Sequence, residues 1–189
     1  GWAWGLNAPF PWMKTGASHL GGTRNGMVIP WHKAIGQSES GGLRSQFGHV
    51  NDIMPTVLEA TGLTAPTVLD GIAQKPIDGT SLIYSFSDPK APERHRTQYF
   101  EVFGNRAIYS DGWMAAANHG RKPWNVVMPS NRKFEDDRWE LYNLSADFAE
   151  AKDLAANNPA KLADLRALFD REAERNNLLP LKNVIVATG

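Results

Sequence analysis

Cysteine is absent from this chain of 189 residues. That excludes disulfides, thiolate metal sites and a cysteine nucleophile from these residues and leaves the redox compartment unmarked. An excess of charge is also missing: Lys plus Arg and Asp plus Glu both total 20. No long-range field therefore favours nucleic acid or an anionic membrane, and neither is expected as a partner. Long apolar runs are missing too. No stretch approaches the roughly 18 residues of a membrane span, and the first residues lack the charged-then-apolar order of a signal peptide. The chain opens on Gly1-Trp2-Ala3-Trp4 without a methionine and is expected to continue something longer. What is present is 42% hydrophobic content, enough for one domain, or a domain plus a subdomain, with a proper core.

Residues 1 to 26 set Trp2, Trp4, Phe10 and Trp12 among glycines and prolines with no period, which predicts loop. "GMVIPW" (26 to 31) is a short apolar run ended by Pro30 and predicts a buried strand. In "HVNDIMPTVLEATGL", Asn51 or Asp52 is a candidate N-cap and Pro55 falls in the first turn. Ile53, Val57, Leu58 and Ala60 recur at near-helical spacing before Gly62, a natural residue to follow a helix. Three turn signals between residues 64 and 80 predict a connecting loop that ends at an apolar segment, Leu82 to Phe86.

The second half alternates. "TQYFEVFG", "NRAIYS" and "WMAAAN" are separated by Gly104-Asn105 and Asp111-Gly112, and "WELYNL" follows a polar loop of residues 118 to 138. This predicts a four-stranded antiparallel sheet. From Asn158-Pro159 onward, Leu162, Leu165, Leu168 and Phe169 recur at three and four, which predicts a capped amphipathic helix laid on one face of that sheet. The tail "LKNVIVATG" has strand-like composition.

Five ordered blocks carry a family resemblance: "KTGASHLGGTRNGMVIPW", "HVNDIMPTVLEATGL", "DGTSL", "QYFEVFGNRAIYSDGW" and "WELYNLSADFAEAKDLA". Together they resemble the second part of a sulfatase of the alkaline-phosphatase superfamily, and are most similar to the bacterial arylsulfatases. The resemblance implies an α+β chain: the last strand and helix of a sulfatase α/β domain in residues 1–86, then a C-terminal subdomain of antiparallel sheet plus helix in residues 87–189. It implies hydrolysis of a sulfate ester by a formylglycine hydrate, made from a cysteine or serine heading x-Pro-x-Arg, beside a calcium ion. It also implies that the lysine before Gly-Gly-x-Arg, here Lys14, grips the sulfate. An ammonium suits that task, being a compact charge with three donors that offsets charge on a leaving oxygen.

Each residue also has a plainer reading. A lysine in a glycine-rich loop is commonly just solvated. His19, five residues on, could reach the same pocket, but a core or surface histidine explains it equally. Arg24 and Asn25 suit loop-fixing hydrogen bonds. The Trp2, Trp4, Phe10 and Trp12 cluster could wall an aryl cleft or simply anchor its own loop, and Asp52 suits a cap better than a metal ligand.

The nucleophile motif is what these residues lack. Ser87-Asp88-Pro89-Lys90-Ala91 has alanine where arginine is required, and His19, His32, His49, His95 and His119 show no ligand spacing. The expectation is therefore a fragment without turnover of its own. Calcium, formylglycine and most of the sulfate shell would lie in an N-terminal half, and truncation would leave the aromatics of residues 1 to 30 poorly covered and able to self-associate. Two alternatives stay open: a phosphodiester or phosphonate hydrolase of the same superfamily, and a non-catalytic binding or structural module.

Overall fold

The computed structural model describes residues 2–31, 34–36, 41–120 and 131–182. In chain order it has short helices α1 (Trp2–Gly5) and α2 (Leu20–Thr23), then α3 (Ile53–Thr61) after a 3-10 turn, and a small hairpin β1 (Val68–Leu69) and β2 (Ile72–Ala73). A single turn α4 (Tyr84–Ser87), strands β3 (Thr97–Val102), β4 (Asn105–Ser110), β5 (Trp113–Ala117) and β6 (Trp139–Asn143), and the long helix α5 (Pro159–Arg175) follow. Contacts gather the chain into two units: Gly1–Gly26 with Thr97–Gly189, and Met27–Arg96.

In the first unit β3, β4, β5 and β6 form one antiparallel sheet in chain order. Both tight turns need two consecutive residues at positive φ, which matches the right-handed twist of the strands they join. Asp111 (50°) and Gly112 (79°) supply them where the sequence predicts. At the other turn the pair is Phe103 (54°) and Gly104 (85°), one residue earlier than Gly104-Asn105, and Asn105 opens β4. Gly104 is required twice over, because a Cβ there would press on the Phe134 and His119 rings.

Side chains alternate across a strand. Tyr99, Ile108, Ala115 and Leu141 are partnered in a row on one face, where Ile108, Ala115 and Leu141 meet Leu165, Phe169 and Ala173 of α5. Asn158 and Pro159 start α5 as predicted, but the Asn158 amide donates to the Leu154 carbonyl instead of capping the helix. The opposite row holds Phe100, Ala107, Ala116 and Glu140. Central strands β4 and β5 are buried on both faces over most of their length, so this face is covered as well.

In the second unit, α3 ends at Gly62, whose φ of 69° places it in the left-handed region a terminating glycine favours. Asp52 works as a cap one turn early: its carboxylate accepts the His49 N–H at 2.8 Å across the 3-10 turn. Thr56 donates to the Asp52 carbonyl and accepts the Leu82 N–H, tying α3 to the buried Leu82–Phe86 segment. Thr56→Val keeps the shape and orphans a buried N–H, so urea denaturation should show this unit weakened by about 2 kcal/mol. Within residues 64–80, expected as loop, Asp70-Gly71 closes the small hairpin.

Residues 26–31 correct the sequence reading. They form no strand and pair with no described strand, and Val28 is 90% exposed. An apolar run can adopt strand dihedrals, but it becomes a strand only through hydrogen bonds from a neighbour, and no described segment offers them. Of the tail read as strand-like, Leu181 and Lys182 are in no strand, and residues 183–189 lie outside the described residues.

Candidate functional site

The loop that carries Lys14 is built from linked turns. Gly16 N–H donates to the Met13 carbonyl, His19 N–H to the Gly16 carbonyl and Gly22 N–H to the His19 carbonyl, at 2.8, 3.2 and 2.9 Å. Gly21 and Gly22 let these turns nest. A Cβ on Gly21 would collide with the Pro11 and Trp12 carbonyls, and one on Gly22 with that of Gly16. The glycine pair therefore serves the compactness of the loop.

Lys14 itself is exposed, and its ammonium makes no hydrogen bond or ion pair among the described residues. The backbone around it is unusual. Trp12 has φ 67° and Thr15 φ 79°, both in a region that costs a side-chain-bearing residue free energy and is held only by surrounding structure. Part of that hold is visible. Asn7 donates to the Trp12 and Gly21 carbonyls, and Asn105 of β4 donates to the Thr15 carbonyl at 3.1 Å.

His19 is 2% exposed, with Nδ1 against Ser18 Oγ at 2.9 Å and Nε2 against Glu140 Oε2 at 3.0 Å. Serine, histidine and carboxylate stand in the order of a hydrolase relay, but Ser18 is fully buried and no substrate can reach it. Both ring nitrogens are engaged by the protein, and the ring packs edge-on against Tyr142. His19 thus fastens the loop to β6. Its hydrogen bond is the first cause that holds the Glu140 carboxyl below its ordinary range, against burial. Burial, followed by the Glu140 carboxylate, pushes the Tyr142 hydroxyl up.

The next residue is gripped as well. Leu20 N–H donates to Glu150 Oε2 at 2.8 Å. Glu150 is 5% exposed, sits at φ 54°, and has a second carboxylate oxygen that is buried without a partner. Burial pushes its carboxyl up to about 7, against the attraction of His19 and the Leu20 hydrogen bond.

The remaining sequence candidates fall elsewhere. Arg24 packs over both the Phe10 and Phe148 rings, 4.8 and 4.6 Å from their centroids, and Asn25 donates to the Thr23 carbonyl. Trp2 is 89% exposed and Trp12 half-buried. Of the aromatic cluster, Phe10 lines an open hollow of about 360 Å³ with Pro9, Pro11 and Glu150, and Lys14 is not among its lining residues. Asp52 is fully buried; burial would raise its carboxyl, but hydrogen bonds from His95 and from the Thr80 and His49 N–H groups hold it low. Ser87 is exposed at the end of α4.

Among the described residues no group of three His, Cys, Asp or Glu side chains could hold a metal. The carboxylates in the interior face histidine, arginine or backbone N–H groups: buried Asp52 with His95, buried Asp137 with Arg106 and His119, half-buried Glu140 with His19, and buried Glu150 with the Leu20 N–H through one of its oxygens. This donor set does not fit calcium, which takes six to eight oxygens.

Sequence reading missed Glu140, Glu150 and Asn105 as parts of this site. The one available signal was an acidic residue inside the apolar run "WELYNL", on the strand face opposite Leu141.

No family model matches the chain. Among solved structures it is similar to BT4656, described in complex with its substrate D-glucosamine-2-N,6-O-disulfate, at 16% identity and TM-score 0.46 over 68% of this chain and 24% of that one. It is similar to a Bacteroides thetaiotaomicron protein, BT33336S-sulf, at 17% identity and TM-score 0.44 over 64% of this chain and 24% of that one. It is also similar to BT1596, a 2-O GAG sulfatase, at 20% identity and TM-score 0.41 over 67% of this chain and 24% of that one. The chain thus spans about a quarter of the length of the solved structures it matches.

Proposed function

We propose that this chain is the C-terminal part of a sulfatase, of arylsulfatase type, in which Lys14 binds the sulfate group of a small sulfate ester. The observation that carries the reading is an exposed, unpaired ammonium on a loop in which Trp12 and Thr15 are strained and Gly16 to Leu20 are buried and hydrogen-bonded. Backbone strain of that kind persists where a site needs a group held in place. The five ordered sequence blocks support the assignment of that ammonium to sulfate.

Formylglycine supplies the nucleophile in such enzymes and calcium neutralises sulfate charge. Both belong to parts of the parent other than these residues, which gather no group of three His, Cys, Asp or Glu side chains among those described. Within this chain the contribution is electrostatic: the ammonium meets a sulfate oxygen and becomes worth more as charge builds toward the leaving oxygen. The isolated chain should not turn over an aryl sulfate with calcium present.

The test is Lys14→Ala in the intact parent enzyme, assayed with an aryl sulfate and, in parallel, a phosphate diester. A roughly hundredfold loss of kcat/KM for the sulfate ester is expected. Full retention would remove Lys14 from the site, and a preference for the diester would move the parent to another reaction class.

A further inference from the structure

We propose that Asn105, Glu140 and Glu150 are positioning residues for Lys14: three polar side chains of the sheet unit grip Thr15, His19 and Leu20, and so hold the strained turn that presents the ammonium. The inference rests on the reading of Lys14 as the sulfate-binding group and adds what fixes it.

The grip is spread over three points. Asn105 enters from the start of β4 and bonds the Thr15 carbonyl, one residue from Lys14. It is itself fixed, because its Oδ1 accepts the His119 N–H at 3.0 Å. Glu140 projects from β6 onto His19 and also accepts the Tyr142 hydroxyl at 3.1 Å. Glu150, seven residues after β6 ends, takes the Leu20 N–H.

Fixing His19 and Leu20 fixes more than themselves. The Gly16 carbonyl receives His19 N–H and the Met13 carbonyl receives Gly16 N–H, so the turns transmit the constraint back to the residue before Lys14. A loop held at one point would keep a hinge freedom, whereas one held at Thr15, His19 and Leu20 does not. A group must sit within a fraction of an ångström of its productive position to contribute to a transition state, and an exposed lysine on a free glycine-rich loop could not.

Glu150 makes the grip readable. It is nine-tenths buried, and the titratable groups that act on it are His19 from the loop, Glu140 from β6 and Asp147 from its own connection, while Tyr142 of β6 responds to its charge. As its carboxyl ionises, the acceptor for Leu20 N–H strengthens.

The experiment is amide exchange and a pH titration by NMR on this chain, in wild type, Glu150→Ala, Glu150→Gln and Asn105→Ala. Losing a hydrogen bond to a carboxylate should speed exchange at Leu20, His19 and Gly16 by roughly 10- to 100-fold, with the amides of β4 and β5 unchanged. Glu150→Gln keeps an acceptor oxygen and should restore protection. In wild type the Lys14 amide resonance should move with the same midpoint as that of Leu20, and both should stay flat in Glu150→Gln. Asn105→Ala should move the Lys14 resonance directly.

A Gly16 amide and a Lys14 resonance indifferent to all three substitutions would overturn the proposal, even with Leu20 deprotected. If Glu150→Ala unfolds the unit, the titration and Glu150→Gln decide on their own. None of these readouts involves sulfate. A loosened loop with normal sulfate-ester turnover by the parent would therefore uphold the grip and reject the role given to Lys14.

Discussion

Phe169→Ala should weaken the sheet unit by about 3 to 5 kcal/mol, read from urea denaturation. Phe169 is fully buried at the centre of the cluster that joins α5 to the sheet, between Ile108, Ala115 and Leu141 below and Leu165 and Ala173 beside it. Its ring also meets Trp139 edge-on, with centroids 5.7 Å apart. Ala115 sits beneath α5, so the neighbouring side chain is too small to swing into the space a lost phenyl leaves, and the cost of the cavity adds to the cost of lost transfer. A domain has only about 5 to 15 kcal/mol in hand, so this one change consumes much of the margin. Arg171→Ala on the exposed side of α5 should stay within about 0.5 kcal/mol. A Phe169→Ala penalty no larger than that of Arg171→Ala would mean that the helix does not seat on the sheet as described.

Raising the pH from about 4.5 to above about 7 should cost the same unit about 3 kcal/mol through Glu150 alone, the free-energy equivalent of moving a carboxyl between those two values. The sign follows from proton binding. Between about 4.5 and 7 the unfolded carboxyl has released its proton and the folded one has kept it, so each rise in pH favours the unfolded chain. The cost is absent below the unfolded value, accumulates through that window and is complete above the folded value. Glu140 acts in the opposite sense: its folded carboxyl is lowered by His19, so its stabilisation is present above 4.5 and is lost as the pH falls. Glu150→Gln should remove the fall in stability between about 4.5 and 7, leaving the variant more stable than wild type at pH 8 by a comparable amount, or roughly 6 to 12 °C in Tm. Equal slopes in wild type and variant would show that Glu150 is not the group responsible.

Much of the architecture was legible in the sequence because it depends on local pattern. Alternation in "TQYFEV" and "NRAIYS", the Asp111-Gly112 turn and the three-and-four spacing from Leu162 to Phe169 each state a geometry that neighbouring residues enforce on one another. The sheet, its order and the helix upon it follow from them. Less legible was anything that needed a partner distant in the chain. "MVI" has the composition of a strand, yet strand formation depends on a neighbour's N–H and C=O groups, and sequence spacing is silent about those. The turn at Phe103-Gly104 eluded prediction for a related reason: a phenylalanine at positive φ is held by the sheet around it and by no preference of its own.

For the site, the sequence by itself determined that a lysine stands in a glycine-rich loop, that no cysteine can serve as nucleophile here, and that the glycine pair keeps its place. Tertiary structure alone decided the rest. It sank His19 beneath the loop as a fastening, brought Glu140 from 121 positions and Glu150 from 130 positions away in the chain onto consecutive loop residues, and left Lys14 as the charge that faces outward. The physical reason is that burial and the partnering of a buried charge are properties of the packed assembly, set by which surfaces lose water together. A charge in sequence carries no mark of which it will be.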